Sequence, residues 1–344
     1  MLKFIAKVVE SVHITPMKIR PIEPSPSSDP AVLLSRVQKI SCMTASHPLI
    51  TVAICSYNRH DYLVDTLTDV NRFKATRQDA EVVVVNNNST DGTADMLERF
   101  DWTSPVAFRT FNELKQGLSH ARNRAIEEAN GQFILFLDDD VYAKPEFLSQ
   151  WVANLKAHPH LTGAGGRIVV HFDGKEPRWF PPILHSILGH HFPYGKAQKY
   201  RRGAYPLGGH MLIKMDWFHE RGAFNPLLGR NGKVLGGGEE KDVFTKMKSD
   251  DVEVWFFPES VLRHRIGTSR LSREYVMRQA FGMGAGDRIR CQDSRDFFNW
   301  NLIQSIKVLG TIAYGGIYLL TGRFSATAVL IQFRFELIRG FYSR

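Results

Sequence analysis

Cysteine is scarce in this sequence, and its few copies form no pattern. The 344 residues contain only Cys42, Cys55 and Cys291, and none of them stands in a Cys-x-x-Cys or Cys/His arrangement. An odd number of widely spaced cysteines argues against a disulfide framework and against a cysteine-ligated zinc site. We therefore expect a reducing, cytoplasmic setting.

Other signals are missing as well. The N-terminal stretch "MLKFIAKVVESVH" carries lysines within its apolar run and lacks a small-residue cleavage site, so we expect no signal peptide. The stretch "IRPIEPSPSSDP" has the Pro/Ser composition of a linker, and we assign residues 1–47 to an N-terminal extension. There is no internal repeat and no nucleic-acid recognition motif, and the basic residues are scattered, so we expect no nucleic-acid partner.

Positive charge exceeds negative charge in the chain. The sequence has 44 Lys+Arg residues against 35 Asp+Glu residues. This balance favours anionic partners, such as a phosphate-bearing substrate or an acidic membrane surface.

Residues 48–272 carry the pattern of an α/β domain. Apolar strands such as "EVVVV" and "FILFL" alternate with helical segments over about ninety residues, which predicts an open, Rossmann-like sheet flanked by helices. The later, Gly- and aromatic-rich segments are predicted to complete the same sheet. Ligands bind beyond the carboxyl ends of the strands in such sheets, and the turns "CSYNR", "NNNSTDG" and "DDD" all fall at that edge.

The last segment, residues 273–344, is predicted to be helical. Residues 308–322 form an uncharged apolar run of fifteen residues, which as a helix would be roughly 22 Å long at ~1.5 Å per residue. This length is short of the ~30 Å hydrocarbon core of a bilayer. We therefore expect a membrane-interface segment, peripheral or monotopic at the cytoplasmic face of the inner membrane, with a helical cap on the sheet as the alternative.

Three aspartates follow the buried strand "FILFL". Like charges side by side repel, and hard divalent cations such as Mn²⁺ or Mg²⁺ prefer carboxylate oxygens and often bridge to substrate phosphates. Asp138 and Asp140 are therefore candidates to project into one cleft around a cation. The alternative is an acidic turn or helix cap that binds nothing.

Four motifs together carry a family resemblance. "VAICSYNR", "EVVVVNNNSTDGT", "GLSHARNRAIEEANGQFILFLDDD" and "LGGGEEKDVF" occur in order and resemble those of family 2 glycosyltransferases, inverting enzymes of the GT-A fold found in bacterial polysaccharide biosynthesis. The resemblance covers roughly residues 48–270. It implies a nucleotide-sugar donor, a divalent metal on its diphosphate, a glycan or lipid-linked acceptor, and direct displacement with inversion.

The resemblance also implies site residues. The "DDD" triplet matches the DxD motif, so Asp140 is expected to bind the metal, with His264 as an additional ligand. The expected nucleotide-sugar-binding residues, matched position by position, are Tyr57, Asn87, Arg122, Asp138, Asp139 and His210. Asn86 and Asn87 replace aspartates that are usual in the family. The Asn87 amide is expected to pair with a nucleobase edge, which favours a UDP-sugar but is compatible with other bases.

Inversion requires a carboxylate that takes the proton of the acceptor hydroxyl. The family places this base in an "ED" motif after glycines, and the match here is "GGGEEKD", with Glu240 in the position of the base. Glu239 and Asp242 are the competing candidates. If a helix begins at this point, its dipole is expected to favour the ionised carboxylate.

Two other function classes stay open from the sequence. A nucleotidyltransferase also combines a Rossmann-like sheet with acidic metal sites, although no Gly-rich basic loop follows the first strand here. A degenerate transferase that only binds glycans or nucleotide-sugars is the non-catalytic alternative, because Asn86, Asn87 and Glu240 depart from the family pattern.

Overall fold

The computed structural model describes residues 47–190, 195–201, 203–232 and 235–343. The predicted N-terminal extension therefore lies outside the described residues, apart from His47. From His47 onward the chain forms one compact unit. Within it, the proposed division at residue 272 coincides with the change from strands to long helices.

The first half of the unit is a parallel sheet with helical crossovers. Its strands are β1 (Ile50–Ser56), β2 (Ala80–Asn86), β3 (Ala107–Asn112) and β4 (Phe133–Leu137), and its helices are α1 (His60–Val70), α2 (Thr93–Arg99) and α3 (Leu118–Glu128). Strands β3, β2, β1 and β4 lie side by side and pair in parallel. This confirms the predicted α/β alternation, and it brings the polar ends of β1, β2 and β4 to one edge of the sheet.

The second half completes the same sheet. It adds strands β5 (Val141–Ala143), β6 (Gly163–Phe172), β7 (Gln198–Lys199), β8 (His210–Lys214) and β9 (Val254–Ile266), and helices α4 (Phe147–Ala157), α5 (Met215–Arg221) and α6 (Glu239–Ser249). The strand order is β3-β2-β1-β4-β8-β6-β9-β5, and β7 pairs with β9. Strand β8 runs antiparallel to β4, so the sheet is mixed, as the GT-A resemblance implies.

Apolar side chains cover both faces of the sheet. Along β2, Val82 and Val84 pack into the cluster on one face, whereas Val83 and Val85 pack into the cluster on the other. Alternate side chains of a strand point to opposite faces, so a strand covered on both sides must be apolar throughout. Burial of each such side chain contributes about 1.5–3 kcal/mol, which holds the strand ends in place.

Three helices follow the sheet: α7 (Arg273–Arg290), α8 (Ser294–Leu320) and α9 (Phe324–Tyr342). Helices α7 and α9 approach closely at glycines. A Cβ atom on Gly284 would lie 1.9 Å from the carbonyl oxygen of Leu337, and one on Gly340 would lie 2.0 Å from that of Phe281. In the stretch "GMGAG" of α7, Gly284 therefore serves helix packing, whereas Gly282 and Gly286 lie against the backbone of residues 235–237. A third apolar cluster joins these helices to residues 180–188 and to the end of β9.

Helix α8 is longer than the apolar run predicted. It begins at Ser294, where the Asp293 side chain accepts a hydrogen bond from the Asp296 amide at 2.8 Å, and it has 27 residues. At ~1.5 Å per residue its length is about 40 Å. The expectation of a helix too short for a bilayer is thus wrong, because the cap lies well before the apolar run. By length and composition alone α8 could cross a membrane.

Candidate functional site

A cavity of about 600 Å³ opens at the carboxyl ends of β1 and β4. Strand β5 pairs antiparallel with β9 so that Val141 lies opposite His264. This pairing places His264 beside Asp140, although the two are far apart in the sequence. Side chains from the loops after β1, β4 and β9 and from the start of α6 therefore line one cavity.

Asp140 lies at the centre of a cationic cluster. Its Oδ2 atom is 2.5 Å from Arg59 Nη2 and 2.8 Å from Arg270 Nη2. Burial alone would raise the pKa of Asp140, but Arg270, His264 and Arg59 outweigh it and hold the pKa well below its usual range. The same contact raises the pKa of Arg270, against the effect of its burial. Its surroundings therefore favour the ionised form of Asp140.

His264 presents its Nε2 atom to the same carboxylate. Its Nδ1 atom lies 2.7 Å from the carbonyl oxygen of Leu188, so Nδ1 carries the proton, and Nε2 accepts from Arg270 Nη1 at 3.0 Å. This Nε2 atom is 3.0 Å from Asp140 Oδ1, which is buried and receives no hydrogen bond from the part of the chain that the structure describes. A cation shared by these two atoms would replace the hydrogen bond from Arg270 to Nε2.

Asp138 completes a group that could hold a metal ion. One ligand atom from each of Asp138, Asp140 and His264 lies within 4.8 Å of the others. Two carboxylates with one imidazole suit Mn²⁺ and are compatible with Mg²⁺. The residues present thus fit the predicted metal, and they group Asp138 with Asp140 and His264, the two ligands that the family resemblance implies.

Asp139 has a different environment from its two neighbours. Its Oδ2 atom accepts a hydrogen bond from Ser56 Oγ at 2.6 Å, and Arg59 Nε is 3.8 Å from Oδ1. Burial and repulsion by Asp140 raise the pKa of Asp139 to about 7. Asp139 therefore ties the end of β4 to the end of β1, and its predicted contact with the donor stays a prediction.

A buried ion pair links α3 to the start of α6. Arg122 Nη1 lies 2.8 Å from Glu239 Oε1, and both side chains are buried. Burial opposes the charge of Arg122, but Glu239 and then Asp138 raise its pKa overall. Because Glu239 is already paired with Arg122, it is a poor candidate for a base that must bind a proton during each turnover.

Glu240 lines the cavity and has a strongly perturbed pKa. Burial raises the pKa of Glu240 to about 8, repulsion by Glu239 adds to the rise, and Arg122 opposes it. The backbone at the start of α6 does favour the ionised form, as expected, but this contribution does not decide the pKa. At the first turn of this helix, desolvation and a neighbouring carboxylate outweigh the partial charges of the helix terminus.

Two predicted site residues lie outside the cavity lining. Asp242 forms an i,i+4 ion pair with Lys246 at 2.8 Å, on another side of α6. His210 is fully buried, and its Nε2 atom accepts a hydrogen bond from Trp151 Nε1 at 3.2 Å. The expectation that His210 binds the donor is corrected, because its side chain is on the core side of the sheet.

The expected role of Asn87 is also corrected. Its Nδ2 atom donates to the carbonyl oxygens of Glu113 and Lys115, and its Oδ1 atom accepts from the amide of Gly117. Both amide hydrogens are used, so Asn87 holds the 113–117 loop and has no free edge for a nucleobase. Tyr57, by contrast, lines the cavity with 37% of its surface exposed, and its stacking role stays a prediction.

Several cavity residues were not foreseen. A Cβ atom on Gly209 would lie 2.2 Å from Asp138 Oδ2, and one on Gly208 would lie 2.6 Å from Arg122 Nη2. The paired glycines thus let this loop approach both charged groups. Arg59 was also missed, although its place directly after "SYN" at the end of β1 was a usable signal.

The far end of the cavity is formed by the C-terminal helices. Asp287 of α7 accepts hydrogen bonds from Lys241 Nζ at 3.0 Å and Trp300 Nε1 at 2.8 Å, and it also pairs with Arg290. Lys307 of α8 completes this end. A polar residue every three or four positions along α8 was the signal that could have pointed to it.

Comparisons with known sequences agree on one family. The model described as "Glycosyl transferase family 2" matches residues 51–222. The "Glucosyl-dolichyl phosphate glucuronosyltransferase" of Haloferax volcanii is 22% identical over 242 residues, 70% of this chain and 76% of that protein. The "Succinoglycan biosynthesis protein ExoM" of Rhizobium meliloti is 26% identical over 243 residues, 68% of this chain and 72% of that protein.

Solved structures share the fold. A mannosyltransferase of Pyrobaculum calidifontis, solved with GDP-Man and Mn²⁺, superimposes with a TM-score of 0.56 at 18% identity, and the match covers 90% of this chain and 95% of that one. The S. aureus TarS 1–349 structure with UDP gives 0.51 at 16% identity, over 85% and 88% of the two chains. At these identities the likeness establishes the architecture.

Proposed function

The chain belongs to glycosyl transferase family 2, and from this premise we propose that it moves a sugar from a nucleoside-diphosphate donor to a hydroxyl group of a glycan or lipid-linked acceptor, with inversion. One observation carries the proposal. A single cavity contains both the metal-ligand group and, separately, Glu240, a carboxylate with a raised pKa. Direct displacement needs both a counter-charge for the leaving diphosphate and a base for the attacking hydroxyl.

Asp138, Asp140 and His264 would hold the metal ion, which we propose to be Mn²⁺ or Mg²⁺. When bound, the ion neutralises charge on the diphosphate leaving group. Arg59 and Arg270 already contact Asp140, so their guanidinium groups are close enough to assist with phosphate oxygens. The Mn²⁺ in the related mannosyltransferase structure supports this choice of ion.

Glu240 is the proposed general base. It lines the cavity, whereas Glu239 is paired with Arg122 and Asp242 with Lys246. A carboxylate with a pKa of about 8 binds a proton far more strongly than an ordinary glutamate, which suits a group that must take one from a hydroxyl.

Tyr57 is proposed to lie against the nucleobase. The preference for a UDP-sugar rested partly on Asn87, whose amide is fully used by the 113–117 loop. Relatives of this fold were solved with GDP-Man and with UDP. We therefore propose a nucleoside-diphosphate sugar without specifying the base.

We propose that the enzyme works at a membrane, at its cytoplasmic face. Helix α8 exposes a long row of apolar side chains, including Ile303, Ile306, Leu309 and Ile312, and basic residues flank the helix pair. The names of two relatives refer to a dolichyl phosphate and to succinoglycan biosynthesis. Both point to lipid-linked or polysaccharide acceptors.

A thermal-shift screen tests the donor site directly. Purified protein would be heated with UDP-, GDP-, CDP- and dTDP-sugars, with and without Mn²⁺. We expect one nucleotide to raise the melting temperature only with metal, and the shift to disappear in Asp140→Asn but to persist in Asp216→Asn, an exposed control. If no nucleotide-sugar gives a shift under any condition, the donor proposal is contradicted.

A further inference from the structure

Helix α8 has the opposite polarity to a helix on the surface of a water-soluble protein. Its buried residues include Gln304 and Thr311, Lys307 borders the cavity with its side chain partly exposed, and Ile306 and Leu309 are 61% and 67% exposed. A water-facing helix buries its apolar residues and exposes its polar ones. Here the apolar face points away from the protein, and the polar face closes the cavity.

The cavity end beside α8 has more positive charge than negative. Asp287 is shared by Lys241 and Arg290. Lys307 lies within electrostatic range of two cations, Lys241 and Arg334, and of one carboxylate, Asp287. Within the described part of the chain, no carboxylate lies within salt-bridge distance of Lys307 or Arg334.

Hydrogen-bond donors are also in excess there. Arg334 donates to two uncharged acceptors, Gln304 Oε1 at 2.9 Å and Thr311 Oγ1 at 3.4 Å. Arg290 Nε is buried and has no acceptor among the described residues. Buried donors and cations left without acceptors are costly, and a phosphate group supplies both charge and acceptor oxygens.

We propose that this end of the cavity binds the phosphate group of a membrane-anchored acceptor, with Lys307 and Lys241 as its ligands. The inference rests on the proposed function and deepens it by naming the acceptor class. Lys241 directly follows Glu240, so the acceptor hydroxyl and phosphate would occupy the same cavity, and the exposed apolar face of α8 would adjoin the lipid chain.

Lys307 lies where the cavity meets the exposed apolar face of α8. Its side chain borders the cavity and is partly exposed, and Ile306 and Leu309 near it are exposed as well. A phosphate bound by both Lys307 and Lys241 would lie in the cavity, whereas a phosphate that contacts Lys307 alone would lie at the bilayer surface. An acceptor phosphate and bulk headgroups therefore give different results with phosphatidylglycerol vesicles.

The test measures vesicle binding of the full chain. Phosphatidylcholine vesicles would contain a small share of dodecyl phosphate, or of dodecanol as the uncharged match. We expect dodecyl phosphate to strengthen binding of the wild-type protein about tenfold over dodecanol, as one charge-assisted contact does. Lys307→Gln should lose this gain, Lys307→Arg should keep most of it, and Lys246→Gln, an exposed lysine outside the cavity, should behave as the wild type.

Each other outcome overturns the inference. Equal binding to dodecyl phosphate and dodecanol vesicles would show that no phosphate is recognised. If phosphatidylglycerol vesicles show the same dependence on Lys307, the site recognises bulk headgroups and not an acceptor. Metal-dependent thermal shifts with nucleotide-sugars, measured on the same variants, show that each variant is folded. They also keep the two proposals separate, because the absence of these shifts in the wild-type protein would contradict the proposed function alone.

Discussion

The two ends of the cavity have opposite construction and opposite charge. The end at β1 and β4 gathers carboxylates on strand ends, with Arg59 and Arg270 against Asp140. The end at α7 and α8 gathers cations on helices, around the carboxylate of Asp287. We therefore propose that one end receives a cation with its phosphates and that the other receives an anion.

The difference indicates separate roles for the sheet and for the C-terminal helices. Asp138 and Asp140 lie between β4, which is paired on both sides, and β5, which pairs with β9, so the sheet positions the proposed metal-ligand atoms. Helices α7 to α9 are held by apolar packing and by close contacts at glycines such as Gly284 and Gly340. We propose that the metal site is carried by the strand ends and the general base by α6, and that acceptor recognition is carried by the C-terminal helices.

The largest effect is expected at the strand-borne end. Asp140→Asn keeps the size of the side chain but removes the charge opposite His264 and Arg270. Because loss of the metal withdraws several kcal/mol of charge stabilisation, transfer should fall at least ~10³-fold. Radiolabelled sugar transfer measures this, with Asp216→Asn as the exposed control. Unchanged transfer with added Mn²⁺ would remove Asp140 from the metal site.

Glu240→Gln should separate chemistry from donor binding. The amide cannot take a proton, so kcat should fall about 10²–10⁴-fold while the metal-dependent thermal shift with donor persists. Asp242→Asn, which affects only the ion pair with Lys246, should retain activity. If Asp242→Asn is the inactive variant instead, the base must be reassigned.

Substitutions on the exposed apolar face of α8 should weaken membrane binding without changing the cavity. Ile306→Gln combined with Leu309→Gln exchanges two exposed apolar side chains, so vesicle binding should weaken about 100-fold if both insert. Leu227→Gln, an exposed leucine in a loop, is the matched control. Unaltered flotation with vesicles would contradict membrane contact through this face.

The smallest effect concerns pH. A general base acts in its deprotonated form. Burial and the neighbouring Glu239 raise the pKa of Glu240 from 4.5 to about 8, and Arg122 opposes this rise. Tyr205 also faces Glu240. The value of kcat/KM should therefore rise with pH up to about 8 and level off above it, about tenfold higher than at pH 7. A profile already flat at pH 6 would show that Glu240 titrates as an ordinary glutamate, or is not the base.

Sequence reasoning succeeded where a pattern is local. Alternation of strands and helices, the acidic triplet after β4 and the glycines before α6 are each contained in short stretches, and the structure confirms those elements. Sequence reasoning failed where tertiary contacts decide the role of a residue. Asn87 was expected to pair with a nucleobase, but its amide holds the 113–117 loop, and His210 was expected to bind the donor, but it lies in the core.

The sequence by itself determined the fold class and the residue types at the strand ends, because periodicity and turn chemistry are properties of neighbouring residues. Only the tertiary structure decided which charges meet. Pairing of β5 with β9 sets His264 beside Asp140, and packing of α7 and α8 sets Lys307 near Lys241. Electrostatic energies and pKa values depend on distance and burial, and long-range contacts set both of these.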